Sequence, residues 1–96
     1  MGRAERPKPK FLASKLKKIR QLLGFNLEEM VVKLNCPDIA LYAASIYEYE
    51  AGKREPPLPV ILQYARLANI YVEYLIDDKL HLPDQLPANS KREFKN

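Results

Sequence analysis

From Phe11 onward, apolar residues recur in short runs at helical spacing. Leu12, Leu16, Ile19 and Leu23 follow one another at intervals of four, three and four, which places them on one stripe of a helix and predicts a first helix from 11 to 23. Lys15, Lys17, Lys18 and Gln21 fall largely on the opposite side, and Gly24 supplies the left-handed residue that commonly ends a helix. Asn26 followed by Glu29 is a capping-box pattern, and Leu27, Met30, Val31 and Leu34 predict a second helix from 27 to 34. Asn35-Cys36-Pro37-Asp38 has turn composition. A third helix is predicted to begin between Ala40 and Ala43 and to run to Glu50, with Ala43, Ile46 and Tyr49 on one face and Gly52 as its stop. Pro56-Pro57 opens a fourth, from 58 to 68, whose buried stripe is expected to be Leu58, Ile61, Leu62, Ala65 and Ala68, with Asn69 in the place of the usual terminal glycine. Val72, Leu75 and Ile76 mark a short fifth helix. The pattern predicts an all-α domain over 11–82.

The flanks differ in composition. Residues 1–10 hold two prolines and four basic residues with almost nothing apolar, so nothing there offsets the entropy of ordering the backbone, and a flexible basic arm is expected. Residues 83–96, with two further prolines and Lys91, Arg92 and Lys95, are expected to form a frayed tail.

Charge sharpens the picture. The net charge of +4 is unevenly spread: Arg3, Arg6, Lys8, Lys10, Lys15, Lys17, Lys18 and Arg20 all precede Gln21 and are opposed only by Glu5. A basic arm leading into a basic first helix suits a polyanion, although a solvated charge run has the same composition. Other chemistries find little support. The single Cys36 cannot form an internal disulfide, no cluster has metal-ligand spacing, and the one histidine, His81, lies beside Pro83 with no partner placed for catalysis. No cofactor, metal or enzymatic activity is expected. Neither a signal-peptide pattern nor an apolar run long enough to span a membrane occurs, which predicts a cytoplasmic, nucleoid-associated protein.

The segment Ser45-Ile46-Tyr47-Glu48-Tyr49-Glu50-Ala51-Gly52-Lys53-Arg54-Glu55-Pro56-Pro57, together with Arg20, Gly24-Phe25-Asn26, Glu28-Glu29-Met30 and Ile70-Tyr71-Val72, resembles the Cro/repressor-type (XRE) helix-turn-helix family from Leu12 to about Asp78. The resemblance implies a compact five-helix, lambda-repressor-like DNA-binding domain in which helix 3 enters the major groove and helix 2 braces it. It makes Tyr42, Ala43, Ala44, Ser45, Tyr47 and Glu48 the base-facing candidates, and Ile46 a core residue. Arg20 and Glu50 become a structural ion pair between helices 1 and 3. Lys53, Arg54 and Asn26, with Lys15 from the basic first helix, are the phosphate candidates.

Three features depart from the family pattern. The base-facing set offers alanines, a serine, tyrosines and a carboxylate where bidentate donors usually read guanine or adenine. Leu27 stands where relatives often carry a phosphate-gripping Gln. Eleven residues separate Leu34 from Ile46, longer than the compact motif. This connection either lies over the DNA backbone or extends helix 3 backwards from Asp38.

The function implied is sequence-specific binding of double-stranded DNA by a bacterial transcriptional regulator, a repressor rather than an activator, acting as a homodimer on half-sites about one helical turn apart. Helix 5, with Tyr71, Val72, Tyr74, Leu75 and Ile76, is the candidate dimer contact. The competing reading is a protein-interaction module, such as an antitoxin or co-regulator, that uses the same fold to hold a protein partner. Six tyrosines, each with a large apolar body and a polar tip, favour it.

Overall fold

The apolar stripes close into five helices in the computed structural model, which describes residues 9–87. These are α1 (Leu12–Leu23), α2 (Leu27–Leu34), α3 (Ala43–Glu50), α4 (Leu58–Ala68) and α5 (Glu73–Ile76), with no strand among the described residues. Gly24 ends α1 at φ +79°, while Asn69 adopts φ +62° after α4, where an Asn tolerates the left-handed region. Both arms of the capping box form at α2: Asn26 Oδ1 accepts from the Glu29 N–H at 2.8 Å, and Glu29 Oε1 accepts from the Asn26 N–H at 2.8 Å.

The helices pack around one core. Leu12, Leu16 and Ile19 of α1, Met30 and Leu34 of α2, Ile46 and Tyr49 of α3, and Val60, Ile61, Tyr64, Ala65 and Ala68 of α4 are buried together with Ile70, Leu75 and Leu82. α2 lies on α3 and α4, while α1 contacts α3, α4 and α5. Two residues of the expected α4 stripe lie outside this core, because Leu58 and Leu62 are exposed and Val60 and Tyr64 face inward instead. The helix is rotated so that its largest side chain, Tyr64, is fully enclosed.

The connection between α2 and α3 does not extend α3 backwards, since helix begins only at Ala43. Asn35 terminates α2 in the left-handed region, and the segment is tied down by Ile39, Leu41 and Cys36 packing on the core. Gln63 of α4 reinforces this corner by donating from Nε2 to the Leu34 carbonyl at 2.9 Å.

The ends of the domain also differ from expectation. Leu82 joins the core and Leu86 packs against it, so 83–87 follows the surface rather than leaving it. The rest of the expected tail, including Lys91, Arg92 and Lys95, and the arm residues Arg3, Arg6 and Lys8 lie outside the described residues. At the arm's inner end the Asp78 carboxylate accepts from the Lys10 and Phe11 N–H groups at 2.9 and 3.2 Å. The residue before α1, Phe11, has no side chain able to cap the helix, and the Asp78 carboxylate anchors the chain just ahead of the first turn.

Candidate nucleic-acid interface

α3 is held from behind and open in front. Its inner face carries buried Ile46, Tyr49 and Ser45, and its outer face presents Ala44, Tyr47 and the capping Ala51, with Glu48 half-buried at the edge. Tyr42, immediately before the helix, is 66% exposed and Tyr47 is 53% exposed. Ala44 and Ala51 are small, so another surface can approach the middle of this face closely.

The inner side is locked to α1 by Arg20 and Glu50. Arg20 donates from Nε to Glu50 Oε2 at 2.7 Å and from Nη2 to Oε1 at 2.9 Å, while Nη1 donates to the Phe25 carbonyl at 3.0 Å. All three guanidinium nitrogens are therefore used. The hydrogen bond to Glu50 holds the Arg20 pKa above its ordinary value against the opposing effect of burial. The Tyr64 hydroxyl is buried with no hydrogen-bond partner among the described residues, and burial, followed by the nearby negative charge of Glu50, raises the pKa of the phenol.

The loop after α3 turns back on the helix. Gly52, at φ +75°, makes the reversal, and the N–H groups of Lys53 and Arg54 both donate to the Glu48 carbonyl, at 2.9 and 3.4 Å. The two cations consequently bracket the outer face. Lys53 Nζ lies 5.6 Å from the Tyr47 ring centroid. Arg54 donates from Nη1 to Glu48 Oε1 at 3.0 Å, and its guanidinium carbon lies 5.6 Å from the Tyr49 ring centroid. Glu48 is thus already engaged by a cation.

Two expected site residues have other roles. Ser45 is buried and its Oγ accepts from the Tyr42 N–H at 3.1 Å, so it fixes the start of α3 and does not face a base. Lys15 is buried as well: Nζ donates to the carbonyls of Tyr74, Asp77 and Leu80 at 2.8, 3.1 and 2.8 Å. It pins α1 to the chain around α5 and is not available to a phosphate. A lysine on the edge of an apolar stripe can bury its stem and extend its head, and here the head meets carbonyls in and just after the short α5.

The remaining candidates are placed more simply. Ala43 is half-buried at the start of α3, and Asn26 is exposed with its side-chain oxygen committed to the α2 cap. On α1, Lys17 is exposed and Lys18 half-buried. The fold-back of Lys53 and Arg54 and the carboxylate bridge of Asp78 were not legible in advance. The second had one signal, a helix start with no capping residue.

Other chemistry has little to work with. No group of three potential metal-ligating side chains occurs among the described residues, nor is any helix there long and apolar enough to cross a membrane. Burial raises the Cys36 thiol above its ordinary pKa, which disfavours the nucleophilic thiolate. His81 is exposed. No family model, curated protein or solved structure matches the chain.

Proposed function

We propose that this protein binds double-stranded DNA sequence-specifically through the outer face of α3, as a helix-turn-helix transcriptional regulator of the lambda-repressor-like kind. The observation that carries the reading is the asymmetry of α3: a face anchored through Arg20 and Glu50, and an opposite face with small residues at its centre and Lys53 and Arg54 along its border. A major groove admits one such helix, and an exposed cation bordering it, such as Lys53, can meet a phosphate beside the groove. Repression by occupying an operator as a homodimer is the mode we infer, since pairing two domains on adjacent half-sites adds affinity.

Selection from random duplex DNA at several salt concentrations, followed by sequencing of the retained molecules, tests the reading. The expected result is a shared two-fold motif, with affinity falling as salt rises through counterion release. Weak, motif-free binding that disappears at physiological salt overturns it. The exposed rings of Tyr42 and Tyr47 favour a protein-interaction module as the second reading, because such rings are enriched at protein interfaces. In that case the outer face of α3 meets a partner protein.

A further inference from the structure

Two arginines of this domain each pair with a glutamate of α3, and the contrast between them is informative. Arg20 uses all three guanidinium nitrogens inside the protein and its side chain is 17% exposed. Arg54 makes one bond, from Nη1 to Glu48 Oε1, and its side chain is 54% exposed. Among the described residues, its Nε and Nη2 donors have no partner. The guanidinium lies at the Glu48 edge of the open side of α3, 5.6 Å from the ring centroid of buried Tyr49.

We propose that Arg54 reads a guanine edge, with Glu48 as its positioning residue, and thereby supplies discrimination that the outward side chains of α3 lack. The inference rests on the DNA-binding reading above. Ala44 and Ala51 offer no donors, Tyr47 offers one hydroxyl, and Glu48 can only accept. Arg54 is the group at this face with paired donors in a fixed geometry, the arrangement that matches guanine O6 and N7.

Preorganisation supports the assignment. The backbone of Arg54 is drawn onto the last turn of α3 by the Glu48 carbonyl, its guanidinium is held at one corner by the Glu48 carboxylate, and the Tyr49 ring lies nearby. A side chain restrained in this way has less rotamer freedom left to lose on binding. The carboxylate also discriminates between the two possible targets. A phosphate brought to Arg54 would meet the negative charge of Glu48, whereas guanine O6 and N7 are neutral acceptors and meet no such charge repulsion. Lys53, a point charge with no carboxylate on it among the described residues, is the better phosphate contact on the same loop.

The test is a comparison of the motifs selected by the wild type, Arg54→Lys, Arg54→Ala and Glu48→Gln from random duplex DNA, with affinities measured on guanine-containing sites and on sites substituted at that position. Arg54→Lys keeps the charge and removes the fork. The expected result is that preference for guanine at one position of each half-site falls on the order of 10- to 100-fold in Arg54→Lys, with the other positions and the salt slope unchanged. Glu48→Gln is expected to weaken the preference at the same position by a smaller factor. If Arg54→Lys keeps the full motif while Arg54→Ala weakens all sequences equally and lowers the salt slope by about one, Arg54 is a phosphate contact and the inference is overturned while the DNA-binding reading stands. If the wild type selects no motif, both fail together.

Discussion

Glu50 of α3 and Arg20 of α1, thirty residues apart in sequence, are joined by two hydrogen bonds of 2.7 and 2.9 Å, with side chains 6% and 17% exposed respectively. The pair ties α3 to α1 and, together with buried Ile46 and Tyr49 and the packing of α2, sets how the outward face of α3 is presented. The two partners are not equivalent. Removing Arg20 strands a nearly inaccessible carboxylate, whereas removing Glu50 leaves a more exposed guanidinium that still donates to the Phe25 carbonyl.

Arg20→Ala is therefore expected to lower stability by about 3–5 kcal/mol, with Glu50→Ala costing less. Urea unfolding of both variants measures the difference. Replacing both residues together by apolar ones should cost less than Arg20→Ala alone, because no uncompensated charge remains. Equal losses in the two single variants would show that the asymmetry of exposure has no energetic consequence.

Tyr64→Phe is expected to leave stability unchanged or to raise it by about 1 kcal/mol. The hydroxyl is fully buried without a partner among the described residues, and leaving such a group unsatisfied carries a desolvation penalty of roughly that size or more. Phenylalanine keeps the ring that fills the centre of the core and deletes the unpaired atom. The check is the urea midpoint at constant slope. A clear destabilisation would mean that the hydroxyl contributes a favourable interaction after all.

Asp78 gives a prediction in pH. Hydrogen bonds from the backbone of Lys10, and then of Phe11, lower its pKa in the folded protein, so the ionised form binds those donors more strongly than the protonated form. A carboxylate whose folded pKa lies below its unfolded value stabilises the fold above the unfolded pKa, near 4 for an aspartate, and that contribution is lost as pH falls through the folded value. Asp78→Asn should be less stable than the wild type at neutral pH, with the gap closing under acid. A gap of constant size from pH 7 to pH 2 would remove Asp78 ionisation from the account.

The helices were largely legible in the sequence because the local signals agree. The apolar stripes, Gly24, the Asn26 and Glu29 cap, Pro57 and Asn69 each specify a boundary through chemistry that operates over a few residues. Resemblance to the XRE family also pointed to the Arg20 and Glu50 pair before any geometry was available. What the pattern misassigned depends on packing at a distance. Lys15 reads as polar-face charge until the carbonyls of Tyr74, Asp77 and Leu80 are brought to it, and Leu58 exchanges places with Tyr64 when α4 rotates. Ser45 resembles an exposed groove residue, but the Tyr42 N–H takes its hydroxyl.

The two lysines once placed together as phosphate contacts, Lys15 and Lys53, are separated by these geometries, and a salt titration should separate them in solution. Each phosphate neutralised by a cation releases counterions, so losing one contact to duplex DNA lowers the slope of log affinity against log salt by about one. Lys53→Ala is expected to weaken binding uniformly across sequences and to reduce the slope by that amount, with no change in melting temperature, because the residue is exposed. Lys15→Met should show the reverse. Its ammonium serves three carbonyls inside the protein, and removing it should destabilise the fold on the order of 3 kcal/mol, while the salt slope of the protein that remains folded is unchanged. A reduced slope in Lys15→Met, measured well below its melting temperature, would show that the ammonium leaves its carbonyl acceptors to meet DNA.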